Sequence, residues 1–144
     1  MLNLTLNVGK KRTAVIVIIG ILIIIMLFEL CIPIKAKTQK FSGATNEQRI
    51  EFIEWRGHNV IDNPIGVKTI VIPQVFSDVY NNYNALQRKI GLDLEKYKGK
   101  TVVLYTYSAL GYDTEVHINL LVYNDIIIGG DISSVELNGF MNSL

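Results

Sequence analysis

The hydropathy pattern divides the chain into two unequal parts. From Ala14 to Phe28 (AVIVIIGILIIIMLF) no side chain is charged or strongly polar, and apolar character resumes after Glu29 as far as Ile34. A helix rises about 1.5 Å per residue, so residues 14–34 are long enough for a hydrocarbon core of roughly 30 Å. Seven isoleucines, two valines and two leucines lie between Val15 and Leu27. At about −0.3 to −0.6 kcal/mol each they outweigh Glu29, which costs roughly 2.5–3.5 kcal/mol at mid-bilayer and less near an end. The run has no polar face, which argues against a buried core helix. The rival is a removed secretory signal, with Lys10, Lys11 and Arg12 as its basic region and Ile34-Lys35-Ala36 as a loose cleavage site. Lys35 inside that site and the length of the run favour an uncleaved anchor. Three basic residues flank the run on either side, so charge alone does not orient it. A basic tail leading into an apolar run is how an export signal begins, which places residues 1–13 in the cytoplasm and the rest outside. The expected organisation is a tail (1–13), a transmembrane anchor (14–34), a linker (35–44) and one extracytoplasmic domain (45–144).

Beyond the linker the periodicity changes. Thr45-Asn46-Glu47-Gln48 has the form of a capping box, and the helix it opens should run to Arg56 and stop at Gly57. Glu47, Glu51 and Glu54 share one stripe, read as a solvated face. Two short extended pieces, His58–Ile61 and Val67–Ile72, follow around Asn63-Pro64 and Gly66. Ser77 should cap a second helix ending at Ile90, with Gly91 left-handed and Leu92 folded back on Leu86. Phe76, Val79, Tyr80, Tyr83, Leu86 and Ile90 form its apolar stripe, which predicts a core-facing surface. With Phe76 at zero, Gln87 falls at about +20°, a neutral amide inside that stripe, with Asn84 at its edge. Asp93 and Gly99 should bound a single helical turn.

Three strands close the pattern. Thr101–Tyr107 alternates, as does Val116–Tyr123, in which Val116, Ile118, Leu120 and Val122 face one way and His117, Asn119, Leu121 and Tyr123 the other. Asn124-Asp125 predicts a tight hairpin into Ile126–Ile128, and Gly129-Gly130 a bulge before Asp131–Ser134. The order α-β-β-α-β-β-β predicts an α+β domain with two helices on one face of an antiparallel sheet.

Charge changes the picture little. Residues 38–144 hold nine Lys/Arg against twelve Asp/Glu, which gives no basic patch for nucleic acid. The single cysteine, Cys31, lies in the apolar run, so the domain has no disulfide, CxxC or thiolate metal site. His58 and His117 lack metal-ligand spacing, no Gly-rich loop opens a helix, and no serine sits in a nucleophile elbow. No catalytic residue, metal or cofactor is assigned. Asp131, beside two glycines, is the best-placed acid. Gln87 is expected to tie the second helix to the backbone at Gly129-Gly130, because a buried amide and an interrupted strand both need partners. The alternative is that Gln87 and Asn84 meet a ligand.

A set of short motifs carries a resemblance: Gln48-Arg49…Gly57, Ile72-Pro73…Phe76, Tyr83-Asn84-x-Leu86-Gln87, Gly91-x-Asp93-Leu94-x-x-Tyr97-x-Gly99-Lys100 and Ile128-Gly129-Gly130-Asp131…Gly139-Phe140. Together they resemble a family of small membrane-anchored proteins from clostridia and related Firmicutes, catalogued as a domain of unknown function. The resemblance implies topology but no activity. The candidate binding residues are Asn84, Gln87, Tyr97, Lys100, Gly129, Gly130 and Asp131. The expected function is a single-pass, membrane-anchored binding or regulatory module. Its expected partners are the bilayer, through residues 14–34, and a membrane or envelope protein. The alternative is a small envelope hydrolase using Asp131, His117 or Glu115.

Overall fold

The computed structural model describes residues 40–144 together with Ile19 and Ile21. Those two residues are helical; the rest of the expected anchor, 14–34, and the tail before it lie outside the described residues. Among the described residues no helix is long and apolar enough to cross a membrane. Thr38–Leu144 forms one compact unit.

The unit is a small α+β domain. Its order is β1 (Phe41–Ser42), α1 (Asn46–Trp55), β2 (Asn59–Val60), β3 (Gly66–Val71), α2 (Asp78–Lys89), a 3₁₀ turn (Leu94–Tyr97), β4 (Thr101–Leu110), β5 (Val116–Tyr123), β6 (Ile126–Ser134) and β7 (Met141–Ser143). The helix ends follow the sequence signals. Thr45 Oγ1 accepts from Gln48 N and Gln48 Oε1 from Thr45 N, each at 3.3 Å, closing the capping box. Ser77 caps α2, and Gly91 (φ +79°) ends it with Leu92 N donating to Gln87 O at 3.0 Å and Gly91 N to Arg88 O at 3.2 Å.

All strand pairs are antiparallel, and β6-β5-β4 form the centre of a curled sheet. Each outer edge of this centre is shared by two short strands. Along β6, β1 pairs Ile126 and Ile127, while β7 pairs Asp131 to Ser133. Along β4, β2 pairs Ala109 and Leu110, while β3 pairs Thr101 to Thr106. The β5–β6 hairpin turns on Asn124 (φ +45°) and Asp125 (φ +63°), the left-handed pair that a two-residue turn needs. β1 falls within the stretch expected to be linker.

The two helices do not share one face of the sheet, which corrects the expected architecture. Phe52 and Ile53 of α1 pack with Val116, Ile118, Leu120 and Val122 of β5. Tyr80 and Tyr83 of α2 pack with Leu121 and Tyr123, the alternate residues of the same strand. Successive strand residues point to opposite faces, so α1 covers one face and α2 the other. The physical reason lies in the three central strands, which carry apolar residues on both sides, with Val102, Leu121 and Ile128 facing away from Val116, Ile118, Leu120 and Val122, and so need cover on both.

Two local expectations are also corrected. The register shift falls between Leu121 and Val122, opposite Ile128, so the bulge residue is Ile128 and not the glycines. The apolar stripe of α2 is not buried across its whole width: Phe76, Tyr80 and Tyr83 pack on the sheet beside the buried Asn84 and Gln87, whereas Val79 is 79 % exposed. Leu92 does not join Leu86; it packs in the α1-side cluster, while Leu86 lines a surface groove with Met141.

Both core clusters are built on the same three central strands, so neither face can lose its packing alone. The fragment Thr38–Leu144 expressed by itself is expected to be soluble and to unfold in urea in one transition, coincident by far- and near-UV circular dichroism. Two separated transitions would show that the faces fold independently.

Candidate functional site

The most polar part of the interior is a row running across the strands. Gly66, Thr106, Asn119, Asp131 and Ser143 are successive register partners on β3, β4, β5, β6 and β7. They lie on the α2 side of the sheet, in alternation with the apolar residues of the other face. Thr106 Oγ1 donates to Asn119 Oδ1 at 2.8 Å, and Asn119 Nδ2 donates to Asp131 Oδ1 at 3.0 Å. Tyr83 of α2 donates its phenol proton to Asp131 Oδ2 at 2.8 Å. Both carboxylate oxygens are thus engaged, by neutral donors. Arg49 lies on the opposite face, where Nε donates to Tyr107 OH and Nη1 to Gly43 O, each at 2.8 Å.

Burial dominates the electrostatics of this row. Asp131 is pushed above its ordinary 3.8 by removal of its charge from water, partly opposed by the bonds from Asn119 and Tyr83. The Tyr83 phenol is pushed far above its ordinary 10 by burial, and then by the Asp131 charge.

Beside Asp131 the tie expected of Gln87 is present. β1 pairs no residue beyond Ile127 and β7 none before Asp131, so the Gly130 N–H meets no strand. It donates to Gln87 Oε1 at 2.7 Å. Gln87 is 0 % exposed, and its Nε2 has no partner among the described residues. Asn84 is also structural: its Nδ2 donates to Asp93 Oδ1 at 2.9 Å and its Oδ1 accepts from Leu94 N at 2.8 Å. Gly129 and Gly130 serve close approach. A Cβ on Gly129 would stand 3.1 Å from both Leu121 and Leu94, and one on Gly130 2.6 Å from Leu144 and 3.1 Å from the Asn119 carbonyl.

The other candidates lie elsewhere. Tyr97 borders a cavity of about 200 Å³ with Lys40, Lys96 and Ile126 to Ile128. Lys100 is exposed at the entry to β4. His117 shares the face of Asn119 and stands in register between Ser108 and Ser133, with Nε2 2.9 Å from Glu115 Oε1. His58 Nδ1 meets Tyr112 OH at 3.2 Å, away from His117. Among the described residues no group of acidic, His or Cys side chains could hold a metal ion.

Sequence reasoning missed Thr106 and Asn119, and read Tyr83 only as apolar. Polar residues at alternate strand positions were visible, but the register that joins them was not.

One surface feature completes the geometry. Because α2 turns its amide edge inward, Val79, Tyr80, Asn82, Tyr83 and Leu86 border an open groove of about 470 Å³ whose far wall is Met141 of β7.

A family model described as a domain of unknown function, DUF4830, matches residues 52–132. The chain belongs to this family. The match takes in α1 from Phe52, α2 and the strands of the polar row as far as Asp131. No curated protein and no solved structure matches the chain. Gln87, Gly129, Gly130 and Asp131 of this DUF4830 domain all lie within the matched residues.

Two measurements on Thr38–Leu144 test the row. Gln87→Ala leaves the buried Gly130 N–H unpaired and should lower stability by about 1–3 kcal/mol, read as a lower urea midpoint; an unchanged midpoint would overturn the structural role. Asp131 carries the pH dependence. Its folded pKa lies above the unfolded value, so its stabilising contribution is complete below about 4 and is lost as pH rises through the folded pKa. Asp131→Asn cannot ionise. Its urea midpoint relative to wild type should therefore improve as pH rises from about 4 to about 7.

Proposed function

We propose that this DUF4830 protein is a membrane-anchored binding module, held by residues 14–34 with Thr38–Leu144 on the outer face of the membrane. The length and composition of the apolar run support the anchor, and the basic tail before it supports the orientation. The resemblance to small membrane-anchored proteins of clostridia and related Firmicutes supports the same topology.

The observation that carries the binding reading is the groove beside α2. Val79 is 79 % exposed on a helix whose amides Asn84 and Gln87 are buried, and Met141 of β7, across the groove, is 51 % exposed. Such an apolar surface suits an aliphatic or aromatic side chain of a membrane or envelope protein. The hydrolase reading on Asp131, His117 or Glu115 has weaker support. Burial disfavours ionised Asp131, and both of its oxygens already accept hydrogen bonds, so it is a poor general base.

The test uses the full-length protein in membranes. It should stay with the membrane fraction through a carbonate wash, and in-cell crosslinking should capture a partner. Val79→Glu places a charge in the groove at an exposed position, where the expected stability change is within about 0.5 kcal/mol. Loss of the crosslinked partner with an unchanged urea midpoint is the expected result. Retention of the partner would move the binding surface elsewhere.

A further inference from the structure

Strand β3 forms an outer edge of the sheet from Gly66 to Val71: it pairs β4 on one side and no described strand on the other. Ladder alternation fixes which of its backbone groups are free. Ile72 N donates to Lys100 O at 2.9 Å and Ile72 O accepts from Gly99 N at 2.8 Å, while Val71 stands opposite Thr101, so Ile72 turns its N–H and C=O toward the β4 side. Ile70, Lys68 and Gly66 then also turn their N–H and C=O toward β4, and Val67, Thr69 and Val71 turn theirs outward. The side chains of these same three residues share one face and are all exposed, Val67 at 55 % and Val71 at 61 %. Ile61 and Ile65, just before β3, are exposed as well.

We propose that β3 is a dimerisation edge, where the β3 of a second copy of this chain adds as an antiparallel strand in the register centred on Thr69. Three registers keep faces and free backbone groups matched. Centring on Lys68 sets two lysines directly opposite, which is unfavourable, and calls on Ile65, whose N–H is committed to Thr106 O at 2.8 Å. Centring on Ile70 sets Val67 against the copy's Pro73, which has no N–H to give. Centring on Thr69 sets Val67 against the copy's Val71 and Thr69 against its own copy. The three outward-facing residues then form about six main-chain hydrogen bonds with β-branched pairs above them. Lys68, the strand's one charge, lies against the aliphatic Ile70 of the copy. The strand is therefore complementary to itself in charge, in hydrogen bonding and in side-chain pairing, as a two-fold interface requires. A foreign strand would need to reproduce all three.

The test uses the full-length protein with Cys31→Ser, so that an introduced thiol is the only one. In a hydrogen-bonded pair the Cα atoms stand about 5.5 Å apart, within the disulfide range of about 4.4–6.8 Å. Thr69→Cys should crosslink to a dimer in membranes under mild oxidation, whereas Lys68→Cys, opposite Ile70, should not. Light scattering in detergent should give a dimer for the wild type. Thr69→Lys, which leaves the backbone intact and sets two charges opposite, should weaken it about tenfold. Thr69→Pro removes an outward N–H, a position where proline is tolerated in an edge strand, and should weaken it about a hundredfold. A monomeric wild type, equal crosslinking through Lys68→Cys, or crosslinking of Thr69→Cys to a different protein would each overturn the proposal.

Discussion

A buried backbone amide has to find an acceptor, and the amide of Gly130 finds none in the sheet. It lies on the outer edge of β6, past the last pair of β1 and before the first pair of β7. Leaving it unpaired would cost about 1–3 kcal/mol. Gln87 meets that need from α2, and much of the domain follows from the contact. To bring Gln87 inward, α2 turns so that the Gln87 and Asn84 edge of its stripe lies deepest. The same rotation places Asn84 against Asp93 and Leu94, brings the Tyr83 phenol onto Asp131, and leaves Val79 outside. The two glycines belong to the same arrangement, since a side chain on either would meet packed neighbours at about 3 Å or less.

The two faces of the sheet solve the burial of polar groups differently. On the α1 side the buried charge is Arg49, 6 % exposed, held by the Tyr107 phenol and the Gly43 and Ala44 carbonyls, with its guanidinium 3.8 Å from the centre of the Tyr105 ring. Among the described residues no carboxylate lies within ion-pair distance of it. Neutral acceptors and a π face therefore stabilise the cation. On the α2 side the buried acid is Asp131, and its donors are also neutral. Each charge is satisfied within its own face, so the two networks remain separate although they share the central strands.

Much of the local structure was legible in the residues. Thr45 with Gln48, Ser77, and the left-handed Gly57, Gly91 and Gly99 mark helix and turn boundaries within one residue, because capping involves only neighbours in sequence. The Asn124-Asp125 hairpin and the limits of β5 follow from turn chemistry and alternation in the same way. Gln87 was legible as a tie to the glycine pair because an amide within an apolar stripe needs a partner.

What the tertiary structure alone decided is where those elements meet. Alternation gave β5 one apolar face and one mixed face, with Leu121 and Tyr123 beside His117 and Asn119, yet it could not say which helix covers which. The apolar stripe of α2 located the buried face but not its deepest line, because hydropathy counts side chains while Asn84 and Gln87 go deepest to meet Asp93, Leu94 and a backbone donor on β6. Thr106, Asn119 and Asp131 are polar in any reading of the sequence, but they become one row only through the register of three successive strands, which alternation within each strand does not set. Capping, turns and periodicity are local physics and can be read from neighbouring residues. Register, helix rotation and the satisfaction of a single buried amide are set by distant partners, and only the folded chain brings those together.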